Sequence, residues 1–418
     1  MTEKRDTGAK WVQLAAIALS VFLTMALWFS TSSVGRQLQA SWKLTDGQLA
    51  WLTVSVQVGF VFGTLISAML NLPDRLRADR LLAISAFAGA TANGLIPYLA
   101  AGDQNPDAFP SVIILRFVTG MTLAGVYPPG MKLMASWFSR NRGLAIGILV
   151  GALTLGSALP HLLMAFSSSG TASGGNLAWQ DMMYIVSASA ILAGVISLLY
   201  IRPGPHLSQG SRFNWRYMFT AWKNVPLRRA NYGYLGHQWE LYAMWTWVPP
   251  MLHESFLEAG HAPAAGRLAG FSVIAIGCVS CVVAGWYADR AGRTLIAIIS
   301  LAVSGTCCLV AGHLGGSPYV MLSVCLIWGA LVISDSAQYS ASITELCDPD
   351  LVGTALTIQT CAGFLLTTVT IGFLPMVQAS TGSGAAFSLL AIGPAFGIWQ
   401  MFRLRWMPEA VRMAGGNR

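Results

Sequence analysis

Apolar residues run through this chain in blocks of about twenty, set apart by short polar turns. At 1.5 Å rise per residue, about 20 apolar residues cross the hydrocarbon core of a bilayer. The pattern predicts spans over Trp11–Ser32, Leu49–Leu70, Leu81–Ala100, Ser111–Ala135, Gly143–Phe166 and Met182–Ile201. A polar stretch, Arg202–Arg229, separates these from a second six: Ala230–His253, Gly266–Ala288, Thr294–Ala311, Pro318–Thr344, Val352–Val377 and Ala385–Phe402. The expected fold is all-α and integral to a membrane, with twelve transmembrane helices. Residues 1–201 form an N-terminal six-helix half, 202–229 a linker, and 230–418 a C-terminal half with a short tail.

Composition agrees: 55% of residues are hydrophobic and 10% charged, where a soluble domain carries about 25% charged. The formal net charge of +8 does not point to nucleic acid, because the basic residues lie in short turns between apolar blocks. Lys4, Arg5, Arg77, Arg80, Arg403 and the linker's Arg202, Lys223, Arg228 and Arg229 fall on one side. Arg36, Lys43 and Arg267 fall on the other. The positive-inside rule then puts both termini and the linker in the cytoplasm, in a bacterial-type inner membrane. Glu345, Asp348 and Asp350 run against the trend and stand as partners for nearby basic turns. The polar N-terminus leads into the first span with no cleavage site, so that helix is expected to stay. Phe213, Trp215, Tyr217, Phe219 and Trp222, interleaved with charge, suggest a linker lying on the lipid surface. The seven cysteines are an odd number set in apolar spans, which argues against a disulfide framework, and Cys278-x-x-Cys281 reads as small packing residues.

Short matches relate the halves at similar offsets. Ala26-Leu27-Trp28 pairs with Ala243-Met244-Trp245, Asp74-Arg75 with Asp289-Arg290, and Gly143-Leu144-Ala145 with Gly353-Thr354-Ala355. Between the eighth and ninth spans lies Gly285-Trp286-Tyr287-Ala288-Asp289-Arg290-Ala291-Gly292-Arg293-Thr294. Gly285 permits close helix approach, Asp289 can charge-match a helix N-terminus, and Arg290 and Arg293 hold the turn inside. The stretch resembles the loop signature of the major facilitator superfamily, G-x-x-x-D-R-x-G-R-[RK]. Arg116-Phe117-Val118-Thr119-Gly120, continuing to Gly125, is similar to that family's fourth-helix motif. The first-half loop keeps Asp74-Arg75 without the glycines, so its gating contacts are expected to differ.

The resemblance implies a secondary transporter of two pseudo-symmetric halves working by alternating access, with no cofactor and no enzymatic activity. The fourth and fifth spans are distantly similar to the nitrate/nitrite and organic-anion porter branches. The arginines of that branch in helices two and eight are absent, which speaks against nitrate. The Gly-Pro pair of the antiporter form is absent too. No phosphate loop, His-Glu-x-x-His or Gly-x-Ser-x-Gly motif occurs.

Ionisable residues inside a membrane are costly and therefore candidates for function. Arg116 can clamp a carboxylate or can pack helices by bonding carbonyls. Glu240, near the middle of the seventh span, with His237 on the same helix face, can relay a proton or can hold that helix to a neighbour. Asp335 is a cavity group or the ion-pair partner of Lys132 or a loop arginine. Tyr127 with Pro128-Pro129 breaks the fourth helix. Trp28, Phe29, Trp239, Tyr242, Trp245 and Trp247 form an aromatic wall for substrate or an interfacial belt, the belt suiting Trp245 and Trp247 better. The reading is a monomeric, proton-coupled carrier of a small organic anion, with Arg116 binding the anion and Glu240 the proton. Alternatives are an exporter of neutral or cationic amphiphiles and a sensor that transports nothing.

Overall fold

A computed structural model describes residues 2–100, 108–138, 142–167, 177–207, 213, 217, 222–348 and 351–418. Trp215 and Phe219 of the linker lie outside the described residues, as do Asp350 and the side chain of Asp74. In chain order the helices are α1 (Thr2–Met25), α2 (Ser30–Ser33), α3 (Gly35–Trp42), α4 (Asp46–Met69), α5 (Leu72–Arg75), α6 (Ala78–Leu99), α7 (Phe109–Leu123), α8 (Tyr127–Trp137), α9 (Arg142–Ser167) and α10 (Trp179–Tyr200). They continue as α11 (Val225–Glu258), α12 (Pro263–Ala291), α13 (Arg293–Ala311), α14 (Pro318–Ser334), α15 (Ser336–Leu346), α16 (Val352–Leu390) and α17 (Ile392–Arg405). A 3-10 segment, Pro408–Gly416, closes the chain.

Among the described residues, ten helical stretches are long and apolar enough to cross a membrane. Val352–Arg405 counts as one of them, although Gly382 interrupts it at φ 85°, outside the helical region. α11 is not among the ten. It has 34 residues, about 51 Å of helix, but carries Arg228, Arg229, Asn231, His237, Gln238 and Glu240. Large apolar side chains such as Tyr98, Phe166 and Met376 stand more than half exposed on the bundle's outside, as lipid-facing residues do.

Three expected spans are broken helices. The first unwinds over Ala26–Phe29 before α2 begins. The fourth breaks at Ala124–Val126, ahead of Tyr127 and the proline pair, where the missing N–H groups and ring bulk end the ladder. The tenth breaks at Asp335, with no proline or glycine to announce it.

Close helix crossings rest on glycine. A Cβ at Gly59 of α4 would fall on the carbonyl of Phe117 in α7, and one at Gly120 of α7 on the carbonyl of Val56 in α4. The two backbones touch reciprocally, as small residues allow between membrane helices. Gly59→Leu is expected to cost about 3 kcal/mol through overpacking, read as a lower melting point and loss of the monodisperse peak in detergent. α9 meets α12 the same way: a Cβ at Gly147 would lie 2.9 Å from the Cys281 carbonyl, and one at Gly151 lies 3.0 Å from that of Cys278. The seven cysteines are free thiols, and Cys278 and Cys281 serve this crossing.

Candidate substrate and coupling site

The unwound turn after α1 carries Trp28 into the seam between the N-terminal helices (α1–α10) and the C-terminal ones (α11–α17). Its ring lies 5.0 Å from Phe60 of α4, 5.6 Å from Tyr242 of α11 and 5.5 Å from Phe364 of α16. Phe60 and Phe364 lie 4.6 Å apart, closing the ring cluster. Phe29 extends it toward Tyr242 and Trp245. Trp28 and Trp245 are buried, so the belt reading fails for both. Helix breakage and inter-helix packing, rather than depth, decide their surroundings. Trp247 donates to the Ile371 carbonyl (3.2 Å) and Trp239 to that of Leu389 (3.3 Å). Neither joins the Trp28 cluster.

Beside these rings lie polar atoms with no protein partner. Gln57 is fully buried on α4, one turn from Phe60, and both its amide atoms are unbonded. Trp28 Nε1 is unbonded as well. Gln238, one turn from Tyr242, donates to the Tyr234 hydroxyl at 2.6 Å, while its Oε1 has no partner. Buried polar groups are rarely left unsatisfied unless a ligand or water completes them. The sequence reading passed over Gln57 and Gln238 because neutral amides inside apolar blocks carry no charge signal.

Arg116 shows the bonding pattern of a packing arginine. It is fully buried. Its Nη2 donates to the carbonyl of Trp28 (2.6 Å), Nη1 to that of Leu27 (2.9 Å) and to Ser30 Oγ (3.0 Å), and Nε to the carbonyl of Leu52 (3.2 Å). No carboxylate is among these partners. The guanidinium satisfies the carbonyls that the broken first helix leaves without helical donors. It sits directly behind Trp28 and so bears on the seam without lining it.

Glu240 and His237 do not pair. Glu240 accepts hydrogen bonds from Ser304 Oγ (2.6 Å) and Cys308 Sγ (3.1 Å) of α13 and from Trp328 Nε1 (3.3 Å) of α14. These three partners all belong to the C-terminal bundle. His237 instead faces Asp335: Nδ1 and Oδ1 lie 2.8 Å apart, without the N–H alignment of a hydrogen bond. Tyr339 donates to Asp335 Oδ2 at 2.6 Å, and the His237 ring packs against both Tyr234 and Tyr339, which also touch each other. Asp335 thus pairs with neither Lys132 nor a loop arginine. Helical spacing put His237 and Glu240 near each other, but the neighbours that claim each were set by packing. Lys132 Nζ donates to the Pro73 carbonyl of the α5 turn at 3.1 Å.

The Asp289 turn forms a latch. A side chain at Gly143, in the first turn of α9, would fall on the Asp289 carboxylate, so that carboxylate abuts a helix N-terminus. Arg293 bridges Asp289 (2.9 Å) and Glu345 (3.0 Å) and donates to Gln338 Oε1 at 3.2 Å. Glu345 and Gln338 ride on α15, whose N-terminus adjoins Asp335. Arg290 is elsewhere, stacked 3.8 Å over the Trp286 ring. Arg75 is exposed at the α5 turn. The chain's last residues lie on the latch, which the sequence reading missed. The Ala414 N–H donates to Glu345 Oε2 (3.0 Å), Asn417 Nδ2 to the Asp289 carbonyl (3.2 Å) and Thr294 Oγ1 to the Arg418 carbonyl (3.0 Å). Gly292, at φ 101°, has no room for a Cβ beneath the carbonyls of Asn417 and Arg418.

Similarity to known proteins accords with this architecture. A gallate transporter of Pseudomonas putida is 25% identical over 313 residues, covering 67% of this chain and 66% of that protein. Two Agrobacterium vitis proteins, provisionally named tartrate transporters, are each 25% identical over 40% and 53% of this chain. Those matches span 42% and 51% of their own lengths. Among solved structures, the proton:xylose symporter XylE bound to 6-bromo-6-deoxy-D-glucose shares the fold with a TM-score of 0.75 at 17% identity, over 95% of this chain and 96% of that one. XylE from E. coli in a partially occluded inward-open conformation gives 0.74 at 13% identity, over 96% and 98%. The sequence profile of the Major Facilitator Superfamily matches residues 17–370, and the chain therefore belongs to that superfamily, as a multi-pass membrane transporter and not an enzyme.

Proposed function

We propose that this transporter moves a small organic anion, an aromatic or hydroxylated acid, together with protons, by alternating access about the Trp28 cluster. The observation that carries the reading is the set of unbonded buried atoms of Gln57, Trp28 and Gln238 beside stacked rings from both parts of the chain. Rings suit a flat apolar body, and amides suit hydroxyl or carboxylate oxygens. Arg116 contributes positive potential from behind Trp28 rather than a direct clamp. The names of the gallate and tartrate relatives favour the acid class.

In this reading twelve spans form two six-helix halves, 1–201 and 230–418, joined by the linker 202–229. α11 supplies the seventh span, and Gly382 divides the eleventh from the twelfth. Both termini and the Asp289 latch face the cytoplasm across an inner membrane, and one chain suffices. The His237–Asp335 pair carries the proton. It sits where α14 gives way to α15, the helix that holds Arg293. Glu240, tied to α13 and α14, holds the C-terminal half together.

The test is solute-induced pH change in proteoliposomes, using gallate, tartrate and simple mono- and dicarboxylates beside cationic dyes. Proton uptake with at least one acid is expected, weakened about tenfold in Trp28→Ala by loss of ring contacts. Signals with dyes alone would replace this reading by export of amphiphiles.

A further inference from the structure

At the end of the bundle opposite the latch, the two parts of the chain part around a cavity of about 350 Å³. Arg36 of α3 and Glu254 of α11 form an ion pair across its mouth, each half exposed. His161 of α9 lines the wall; it is 8% exposed, and its Nε2 has no partner. His253 lines the facing wall, with Nδ1 likewise unbonded. Arg267 completes the ring and donates to the Met164 carbonyl at 3.0 Å. Two arginines and two ring nitrogens thus line a space that also holds the Asp46 carboxylate, which accepts from Gln39 Nε2 at 2.8 Å, and among the described residues the exposed Arg36–Glu254 pair spans its mouth.

We infer that this vestibule is a first binding site for the incoming carboxylate, at which Arg36 exchanges Glu254 for the ligand. The inference rests on the anion reading above. The ion pair is exposed, so its net worth is small and an anion can compete for the arginine. A carboxylate there pairs with a planar guanidinium and finds hydrogen-bond partners in the two histidines. Release of Glu254 uncouples α3 from α11, so ligand arrival and separation of the two parts at this mouth are one event. The Trp28 cluster lies deeper and is closed, which makes the vestibule the site reached before it.

The exchange demands opposite effects from the two ends of one ion pair. Binding of radiolabelled gallate and tartrate to the purified full chain measures it. Glu254→Gln removes the competing carboxylate and is expected to tighten binding about three- to tenfold, while Arg36→Gln weakens it by a similar factor. Ser33→Trp, on the cavity wall, is expected to abolish the vestibular component while the melting point stays that of the parent. A purely structural ion pair would weaken binding, or leave it unchanged, from both ends, and that result overturns the inference. So does parental binding in Ser33→Trp. If the parent binds neither acid nor any of the carboxylate panel, the anion reading falls and this inference with it. If the parent binds but the signs are wrong, only the vestibule falls.

Discussion

Arg116→Ala is expected to lose most of the folded protein, about 3 kcal/mol, because a buried acceptor stripped of its donor costs about 1–3 kcal/mol. The Trp28 carbonyl accepts from this guanidinium at 2.6 Å, in a turn where the helix ladder has stopped. The Leu27 and Leu52 carbonyls and Ser30 lose a donor with it. Arg116→Lys is expected to recover little. An ammonium is a compact donor, whereas the planar fork reaches α4, the unwound turn and α2 together. The measurement is the melting midpoint and the monodisperse yield in detergent. A stable, correctly eluting Arg116→Ala protein that merely binds acids weakly would instead make Arg116 a direct substrate ligand.

The second large effect separates two buried carboxyls. Asp335→Asn is expected to reduce pH-driven accumulation about 100-fold while leaving exchange of labelled for unlabelled substrate within about threefold, since exchange needs no net proton movement. Glu240→Gln is expected to keep coupling and to lower the melting point instead, because its carboxyl serves Ser304, Cys308 and Trp328 within one bundle. Paired uptake and exchange assays in proteoliposomes read both. If coupling is lost in Glu240→Gln and survives in Asp335→Asn, the proton assignment reverses. The physical basis is position. Asp335 begins the helix whose Gln338 and Glu345 engage Arg293 of the latch, so a charge change there can bias the latch directly. Glu240 bonds α13 at Ser304 and Cys308, about three to four turns away from Arg293 at that helix's start, and none of its partners bonds Asp289, Gln338 or Glu345.

Much of the fold was legible in the chain as written. Crossing a bilayer imposes a length, an apolar composition and satisfied backbone groups on each segment, and those are properties of consecutive residues. The apolar blocks, the basic turns and the Asp289 loop needed nothing else. The proline pair at Pro128-Pro129 likewise announced the break in the fourth helix, because proline acts on its own turn. Gly285 could be read as a close-approach residue, although not against which partner.

Pairings among distant residues were another matter. His237 and Glu240 share a helix, yet one is claimed by Asp335, 98 positions on, and the other by Ser304, Cys308 and Trp328. Arg116 was equally suited to a substrate or to carbonyls until the unwinding of the first helix supplied the carbonyls. Gln57 and Gln238 gained meaning only when their burial was seen to leave amide atoms without partners. Glu345 ran against the charge trend of the turns until Arg293 was found across from it. Periodicity and charge act along the chain and determined which segments enter the membrane and which stay at its surface. The choice of hydrogen-bond partner in a dry interior depends on which neighbour is closest in space, and that was decided only when the helices packed.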